Sequence, residues 1–502
     1  MQYSAPCSLY RYDILAGCPV SLALQLFTYP MIRFHHIVSC IILIVAACSS
    51  AALWRVLFPG NVFIMWILGV SAMAALATGY RYLCSTSIRI SETAFLLSLI
   101  CLTLVLRLWW VTSAGTIPIA DFLGYQEYAL QVSSGNVMGF TPVMTVFPFK
   151  FFYPMFLGGL YWLTTPSPVI AQLLNVVCSV IIAFQVYRLG TMAGGEHTGR
   201  LAGLFFALWP SQIAFCSVVA QEHLFQVFFL GALIALLRAR EIESAQRWLL
   251  WGMLAGASLG IAHVLRPVAI VVVPTILAFV IWGAGHLRNR MRFQAAVLSS
   301  AAAGFILVAG GIMVFASAAV NQPLWKSSAG FSLYVGTSQE SRGFWSATHA
   351  AILDEYSYNP DAVHKASTQR ATYNIVSDPA GFAALVATKF VLFWGSDDYG
   401  IYYSTVEQAP TESAVTIFRY RNKLNLAAQG VYFFLLAGAA VGIFRARKQS
   451  NSVLFIAQSV FLLHVAAFCF LEIQSRYHVL VIPLLMIPAA MVFTPKPSHK
   501  LT

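Results

Sequence analysis

Apolar residues gather along this chain into long runs parted by short polar breaks. A helix that crosses the hydrocarbon core of a bilayer takes about 20 apolar residues. Runs near that size predict spans at 36–58, 61–80, 92–113, 168–188, 201–218, 222–238, 248–264, 267–284, 293–319, 426–444, 453–471 and 476–493. The pair at 201–218 and 222–238 is short, so the expected number is about twelve, give or take two. Two polar intervals, 114–167 and 320–425, break the pattern, and each holds an amphipathic stretch: 149–163 around Pro154, and 381–394 around Lys389. Both are read as helices lying at the membrane interface. The expected fold class is an all-α polytopic membrane bundle with interfacial helices and a large outer loop.

Composition removes the soluble alternatives. Of 502 residues, 59% are hydrophobic and only 10% charged, with a mean hydropathy of +0.75. Soluble domains carry about a quarter charged residues, so a water-soluble globular enzyme is excluded. The net charge of +12 comes from 30 Lys and Arg against 18 Asp and Glu. The basic residues sit mostly in short loops, which points to anionic lipid and membrane topology and away from nucleic acid. With a cytoplasmic N-terminus, the inner loops hold Arg81/Arg89, Arg188/Arg200, Arg238/Arg240/Arg247, Arg288/Arg290/Arg292 and Arg445/Arg447/Lys448. The outer short loops, 59–60, 219–221, 265–266 and 472–475, hold only Arg266, with Arg476 at the edge of the last. Counting 149–163 as a span would break this alternation. The two long intervals then fall on the outer side.

The nine cysteines show no CxxC or metal-type spacing, so neither a disulfide framework nor a zinc site is expected. Residues 1–30 lack the basic region, clean apolar core and cleavage site of a cleaved signal peptide.

The acids narrow the function. None of the 18 lies near the centre of a predicted span, where pumps and proton-coupled transporters place ionisable groups. They gather at the outer surface: Asp121, Glu127, Glu222, Glu340, Asp354, Glu355, Asp397, Asp398 and Glu472. No inverted repeat relates the halves. Any chemistry belongs at the outer face.

Four elements carry candidate chemistry. After the third span comes Ile117-Pro-Ile-Ala-Asp121-Phe-Leu-Gly-Tyr125-Gln-Glu127-Tyr128, closing at Ser134-Gly135-Asn136. An Asp opening a helix at headgroup depth is either a helix cap or a partly desolvated base whose proton affinity is raised, and the two roles are compatible. The second element is Pro210-Ser211, then Gln221-Glu222-His223, where Glu222 is an interfacial anchor or a site acid. The third is cationic: Lys150 in Phe147-Pro-Phe-Lys150, Arg266 in His263-Val-Leu-Arg266-Pro267, and Arg476-Tyr477-His478. Arg holds phosphate oxygens bidentately and Lys acts as a point charge, while snorkelling at the interface is the alternative for each alone. The fourth, Trp325 to Gly343 with Tyr334, reads as a strand-like turn region able to close over a sugar, with Tyr334 or Trp345 stacking on the ring. Asp397-Asp398 has little coordination specificity, so no metal is expected, and no role is given to His35-His36.

The pattern Asp121-Phe-x-x-Tyr125-x-x-x-Ala129, followed by a Gly and an aromatic Lys/Pro helix, resembles the first outer loop of GT-C glycosyltransferases. The likeness is to the bacterial branch of protein O-mannosyltransferases and the lipid A aminoarabinose transferase, and it covers about 92–493. It implies a GT-C-like bundle preceded by an extra hairpin: 1–91 the N-terminus and hairpin, 92–319 the core with the loop 114–167, 320–425 the outer loop, and 426–502 the last spans and tail.

The resemblance implies catalytic roles for Asp121 and Glu222 and donor-phosphate binding by Lys150, Arg266 and Arg476. It implies substrate contacts from Tyr125, Glu127, His263, Tyr334 and Tyr477. The family's second acid beside the first is replaced here by Phe122. The implied reaction moves a sugar from a polyprenyl-phosphate donor to a cell-envelope acceptor (lipid A, O-antigen or other polysaccharide, or protein). It would occur outside a bacterial inner membrane with inversion, with no cofactor and no metal. The competing readings are a polymerase or ligase using a diphosphate-linked donor, and a transporter or flippase of lipid-linked glycans.

Overall fold

Small polar residues and prolines set the helix boundaries. Ser91 accepts from the Ala94 amide at the start of Glu92–Ala114, and Gly115, at φ 58°, ends that helix in the left-handed region. Asn359, Asp378, Thr411 and Asn451 cap later helices in the same way, the first two with Pro at the next position. The computed structural model describes residues 19–58, 63–86, 90–242, 244–283, 290–326, 329–447, 449 and 451–494. Cys7, Cys18, the loop 59–60, Arg89, Arg288, Lys448 and the tail from 495 lie outside the described residues.

In chain order the helices are α1 (Pro19–Leu57), α2 (Ile64–Ser85), α3 (Glu92–Ala114), α4 (Ala120–Ser133), α5 (Pro142–Val146), α6 (Phe149–Leu163), α7 (Pro168–Gly194) and α8 (Glu196–Ala207). Next come α9 (Pro210–Phe215), α10 (Glu222–Arg240), α11 (Ala245–Leu265), α12 (Val273–Gly283), α13 (Arg290–Phe305), α14 (Gly311–Val320) and α15 (Ala329–Gly336). The rest are α16 (Ala347–Glu355), α17 (Pro360–Ser377), α18 (Pro379–Trp394), α19 (Tyr399–Thr405), α20 (Glu412–Ala446), α21 (Ser452–Phe470) and α22 (Ile482–Met491). Tight 3₁₀ turns occupy Pro267–Val272 and Ser475–Leu480. Among the described residues a single antiparallel bridge, Thr116 with Gln408, is the only strand-type pairing.

The fold is all-helical and multi-pass. Among the described residues nine helices are long and apolar enough to cross a membrane, or ten if α17 and α18, bent by 106°, make one broken span. Three of the runs read as spans are shorter or interrupted. Pro210 splits 201–218 into α8 and α9; Pro267 opens 267–284 as a 3₁₀ turn; 476–493 begins as a 3₁₀ turn and carries Pro483 and Pro488. Proline lacks the amide the preceding turn needs, so Pro210 and Pro483 stand in the first turn of a new helix and Pro267 opens the 3₁₀ turn before α12, while Pro488 is accommodated inside α22. The stretch 325–343 is also not strand-like. It contains α15, whose Gly330 amide donates to His364 Nδ1 of α17 at 3.2 Å, so docking on α17 overrides its local strand character.

The core lies between α7, α8, α10, α20 and α22. Helix α22 is apolar on every side and buried from Ile482 to Ala490. Where helices approach most closely, side chains vanish. Gly252, Gly256 and Gly260 form a stripe on α11 against α13, and a Cβ on Gly256 would stand 1.9 Å from the Ala301 carbonyl oxygen.

Topology brings one set of helix ends together. The C-terminal ends of α3, α11 and α21 and the N-terminal ends of α4 and α10 meet at one end of the bundle. Fully buried Arg107 of α3 donates to the Phe206 and Ala207 carbonyls at the end of α8, which fixes the break before Pro210.

Replacing Gly256 by Leu is expected to force α11 and α13 apart at a cost of about 1–3 kcal/mol, seen as a lower unfolding temperature in detergent. Gly310→Ala, with open space beside it, should leave that temperature unchanged; equal effects would show that the crossing is not close-packed.

Candidate active site

At this end of the bundle five charged side chains from five segments form one network. Asp121, in the first turn of α4, accepts through Oδ1 from Lys150 Nζ of α6 at 2.7 Å and through Oδ2 from Arg476 Nη2 at 3.2 Å. Glu222, the first residue of α10, pairs through Oε1 with Arg266 Nη1 at 3.0 Å, and Arg476 Nη1 stands 3.9 Å from the same oxygen. Arg476 thus joins both carboxylates. Each acid sits at a helix N-terminus and Arg266 just past the C-terminus of α11, so the helix dipoles favour the charges.

The network grades from open to closed. The Asp121 and Lys150 side chains keep 33% and 20% of their surface exposed, Arg476 7% and Glu222 only 2%. Aromatic rings replace water around the cations. Arg476 lies 5.1 Å from the Phe122 ring centre and 5.6 Å from Tyr403 and Tyr477, and Arg266 lies 5.0 Å from Tyr477. Several buried polar atoms have no partner among the described residues, namely Glu222 Oε2, Arg476 Nε and the Tyr153 hydroxyl.

Burial pushes the Asp121 carboxyl up, but the charges and hydrogen bonds of Lys150 and Arg476 outweigh it and hold the group well below the usual carboxylate range. This reverses the raised basicity expected from desolvation alone. Nor does Asp121 cap α4: Ile119 is the N-cap residue, without a side-chain bond, and the Asp121 carboxylate turns to the cations instead. Ala120 before it takes φ 47°, a backbone angle that a residue with a side chain rarely adopts.

Among the other candidates, Tyr125 is buried one turn beyond Asp121, its ring edge-on to Phe122 and Tyr153. Tyr477 lies between the two arginines. Glu127 is exposed and has no described bond to the network, and the adjacent Gln126 turns inward to accept from Tyr161. His263 is turned to Phe305, 5.5 Å between ring centres. Tyr334 packs on His349 at 4.9 Å within the outer helices, under Arg370, and has no contact with the network. Trp345 is exposed.

Three acids were given no role from sequence. Asp397 is fully buried and accepts from Trp209 Nε1 and Ser211 Oγ, each at 2.7 Å, and from His478 Nε2 at 3.0 Å. It ties the outer loop to the Pro210 turn and to the turn carrying Arg476. The signal available was Ser211 in its Trp-Pro-Ser context, though nothing local linked it to position 397. Asp398 accepts from Ser475. Glu472 also stands in the field of Arg476, Lys150 and Asp121.

Residues 151–311 match the family model of dolichyl-phosphate-mannose-protein mannosyltransferases. Over that third of the chain the protein is similar to this mannosyltransferase family. The matched stretch contains Tyr153, Glu222, His263 and Arg266 and excludes Asp121, Lys150 and Arg476. A solved structure of the archaeal oligosaccharyltransferase AglB from Archaeoglobus fulgidus, in complex with an inhibitory peptide and a dolichol-phosphate, is similar over 80% of this chain and 50% of that one. The identity is 14% and the TM-score 0.41, and the chain spans about half the length of that protein. No curated protein matches the sequence.

Arg266→Met is expected to lower unfolding free energy by about 3 kcal/mol, because it strips the nearest partner from a buried carboxylate. Adding Glu222→Gln should recover most of the loss. Thermal unfolding of the purified single and double variants checks this; additive losses would mean that the pair is not coupled.

Proposed function

We propose that this network is the active site of a transferase that takes a sugar from a polyprenyl-phosphate donor and gives it to a hydroxyl of a cell-envelope acceptor. The observation that carries this reading is Arg476 bridging Asp121 and Glu222 beside Lys150 and Arg266. The described name of the matched family supports a lipid-phosphate donor. The arginine and lysine bias of the loops supports a site on the extracytoplasmic side, in a membrane that this reading takes to be a bacterial inner membrane. Lipid A, an O-antigen or other polysaccharide, and a protein are the acceptor classes.

In this mechanism the donor's phosphate competes with Asp121 for Lys150 and Arg476, and Arg266 supports it from the closed end. Once the cations turn to phosphate, only burial acts on the Asp121 carboxyl and its proton affinity rises. The base is therefore armed by the donor it needs. Asp121 then takes the proton as the acceptor oxygen attacks the anomeric carbon from the face opposite phosphate, so configuration inverts. The leaving phosphate departs as an anion and requires no general acid; electrostatics and positioning do the rest. Glu222 Oε2 and the Tyr153 hydroxyl, both without partners among the described residues, would orient the sugar's hydroxyls.

Asp121→Asn is expected to cut transfer by at least about 10²-fold while binding polyprenyl phosphate more tightly than wild type, since it removes the carboxylate that competes for the cations. Lys150→Ala should weaken that binding. Turnover of a radiolabelled polyprenyl-monophosphate sugar, read as release of free polyprenyl phosphate with glycosylation of the acceptor, makes the test. Unchanged turnover in Asp121→Asn removes Asp121 from the mechanism, and turnover only with a diphosphate-linked donor favours a polymerase or ligase.

A further inference from the structure

At the end of the bundle that carries the charge network, Lys150, Arg266, Arg476, Lys326 and Arg370 each pair with an acid. Four other cations there pair with no acid among the described residues. They are Arg55, in the last turn of α1, and Arg419, Arg421 and Lys423, in the first third of α20. Glu412 opens α20 two turns before Arg419 and forms no ion pair among the described residues.

Close helix contacts fix the depth of this patch. A Cβ on Gly69 of α2 would stand 2.1 Å from the Ala427 carbonyl oxygen, and one on Gly430 2.1 Å from that of Trp66. Helices α2 and α20 run the same way. The start of α20 lies at the end of α3, where a Cβ on Gly115 would meet Ala414 at 3.3 Å. Helix α2 finishes at the other end of the bundle, its Tyr80 hydroxyl 3.2 Å from His197 Nδ1 in the first turn of α8. At about 1.5 Å per residue, Lys423 is therefore level with the first turn of α2, with Arg421 and Arg419 just beyond it. Arg55 reaches the same level: its guanidinium lies 5.3 Å from the Phe63 ring centre, and that ring stacks on Trp66 at 5.2 Å. The spans of α1 and α2 end and begin here, which is headgroup depth.

The surroundings are apolar and open. Arg421 lies 3.8 Å from the Phe418 ring centre and Lys423 5.2 Å from that of Tyr420, and both rings are exposed. On the hydrocarbon side of the patch, Ile64, Ile67 and Leu68 share one exposed face of α2.

We propose that this patch binds an anionic phospholipid, its phosphate between Arg55 and Lys423 and an acyl chain along Ile64, Ile67 and Leu68. Like charges gathered from two elements without an acid repel one another, and a phosphate among them turns each repulsion into an attraction. A soluble polyanion would satisfy the cations and leave the rings and the apolar face uncovered. A lipid covers both, because its charge and its chain are joined at this depth. The bound lipid joins the α1–α2 hairpin to α20 at the level where the two helices touch through Gly69 and Gly430. Nothing in this site depends on the transfer reaction assigned above.

The test reconstitutes the full chain with phosphatidylglycerol or phosphatidylcholine carrying the same diazirine-bearing acyl chain, and maps the photo-cross-links by peptide mass spectrometry. In wild type, phosphatidylglycerol is expected to label residues 64–68 on the order of 10-fold more than phosphatidylcholine, at about 5-fold per engaged cation. Raising the salt should shrink that ratio. Arg55→Gln combined with Lys423→Gln should bring the two lipids to equal labelling, whereas Arg55→Lys combined with Lys423→Arg keeps both charges and should keep the preference. Lys365→Gln, in α17, should leave it as in wild type. Equal labelling by the two lipids in wild type, which a patch built for a soluble polyanion would give, overturns the site. So does an undiminished preference in the glutamine variant, or its loss in the charge-preserving one.

Discussion

Bringing five charges to the edge of a hydrocarbon environment is permissible only if each meets an opposite charge. An isolated ion in that setting is expensive, and removing one partner of a buried pair is costlier than never having the pair. The site obeys this through Arg476, which bonds Asp121 and approaches the oxygen of Glu222 that Arg266 holds. Without that guanidinium the network would fall into two unconnected pairs. Its surroundings are aromatic rings, which satisfy a cation while excluding water.

A network paired so completely is a resting arrangement. The same cations that make Asp121 comfortable as an anion make it a poor base, and the same carboxylates that neutralise Lys150 and Arg476 keep them from phosphate. On the proposed reading an incoming phosphate resolves both problems: it takes Lys150 and Arg476 as partners and leaves the Asp121 carboxylate, relieved of them, able to accept a proton. Exposure fits this order of events. Asp121 and Lys150 are the open members, where a partner can be exchanged, and Glu222 with Arg266 is the closed pair that remains.

Much of this was legible in the sequence for a simple reason: polar residues are rare in the chain, so each charge at a span end stands out. Asp121, Lys150, Glu222, Arg266 and Arg476 are all of that kind, and the alternation of basic loops set them on one side. What failed depended on angular detail. Glu127 and Gln126 are adjacent, and only the helix phase decides which turns inward. Tyr334 belonged to a stretch whose local character suggested a strand until docking on α17 made it helical. Pro210, Pro267 and Pro483 broke runs that hydropathy alone counted as continuous. The Asp397 contacts with Trp209, Ser211 and His478 join positions 188, 186 and 81 residues apart, and no local pattern announces them.

Those unannounced contacts explain how a loop can present charges accurately. The segment from Glu472 to His478 has an anchor at each end. Lys389 fixes the carbonyls of Cys469 and Leu471 before it, and Asp397 holds His478 behind it. Both anchors come from the same stretch of chain, α18 and the turn that follows. Between them lie Glu472, Arg476 and Tyr477, which interact with charges from α4, α6 and α11. Donors and charges act most strongly on a reaction when they need no reorganisation at the moment of need. Fixing the backbone at two points leaves mainly side-chain torsions free, so partner exchange costs little rearrangement. The outer helices therefore contribute to the site without entering it: they hold still the one loop on which Arg476 stands.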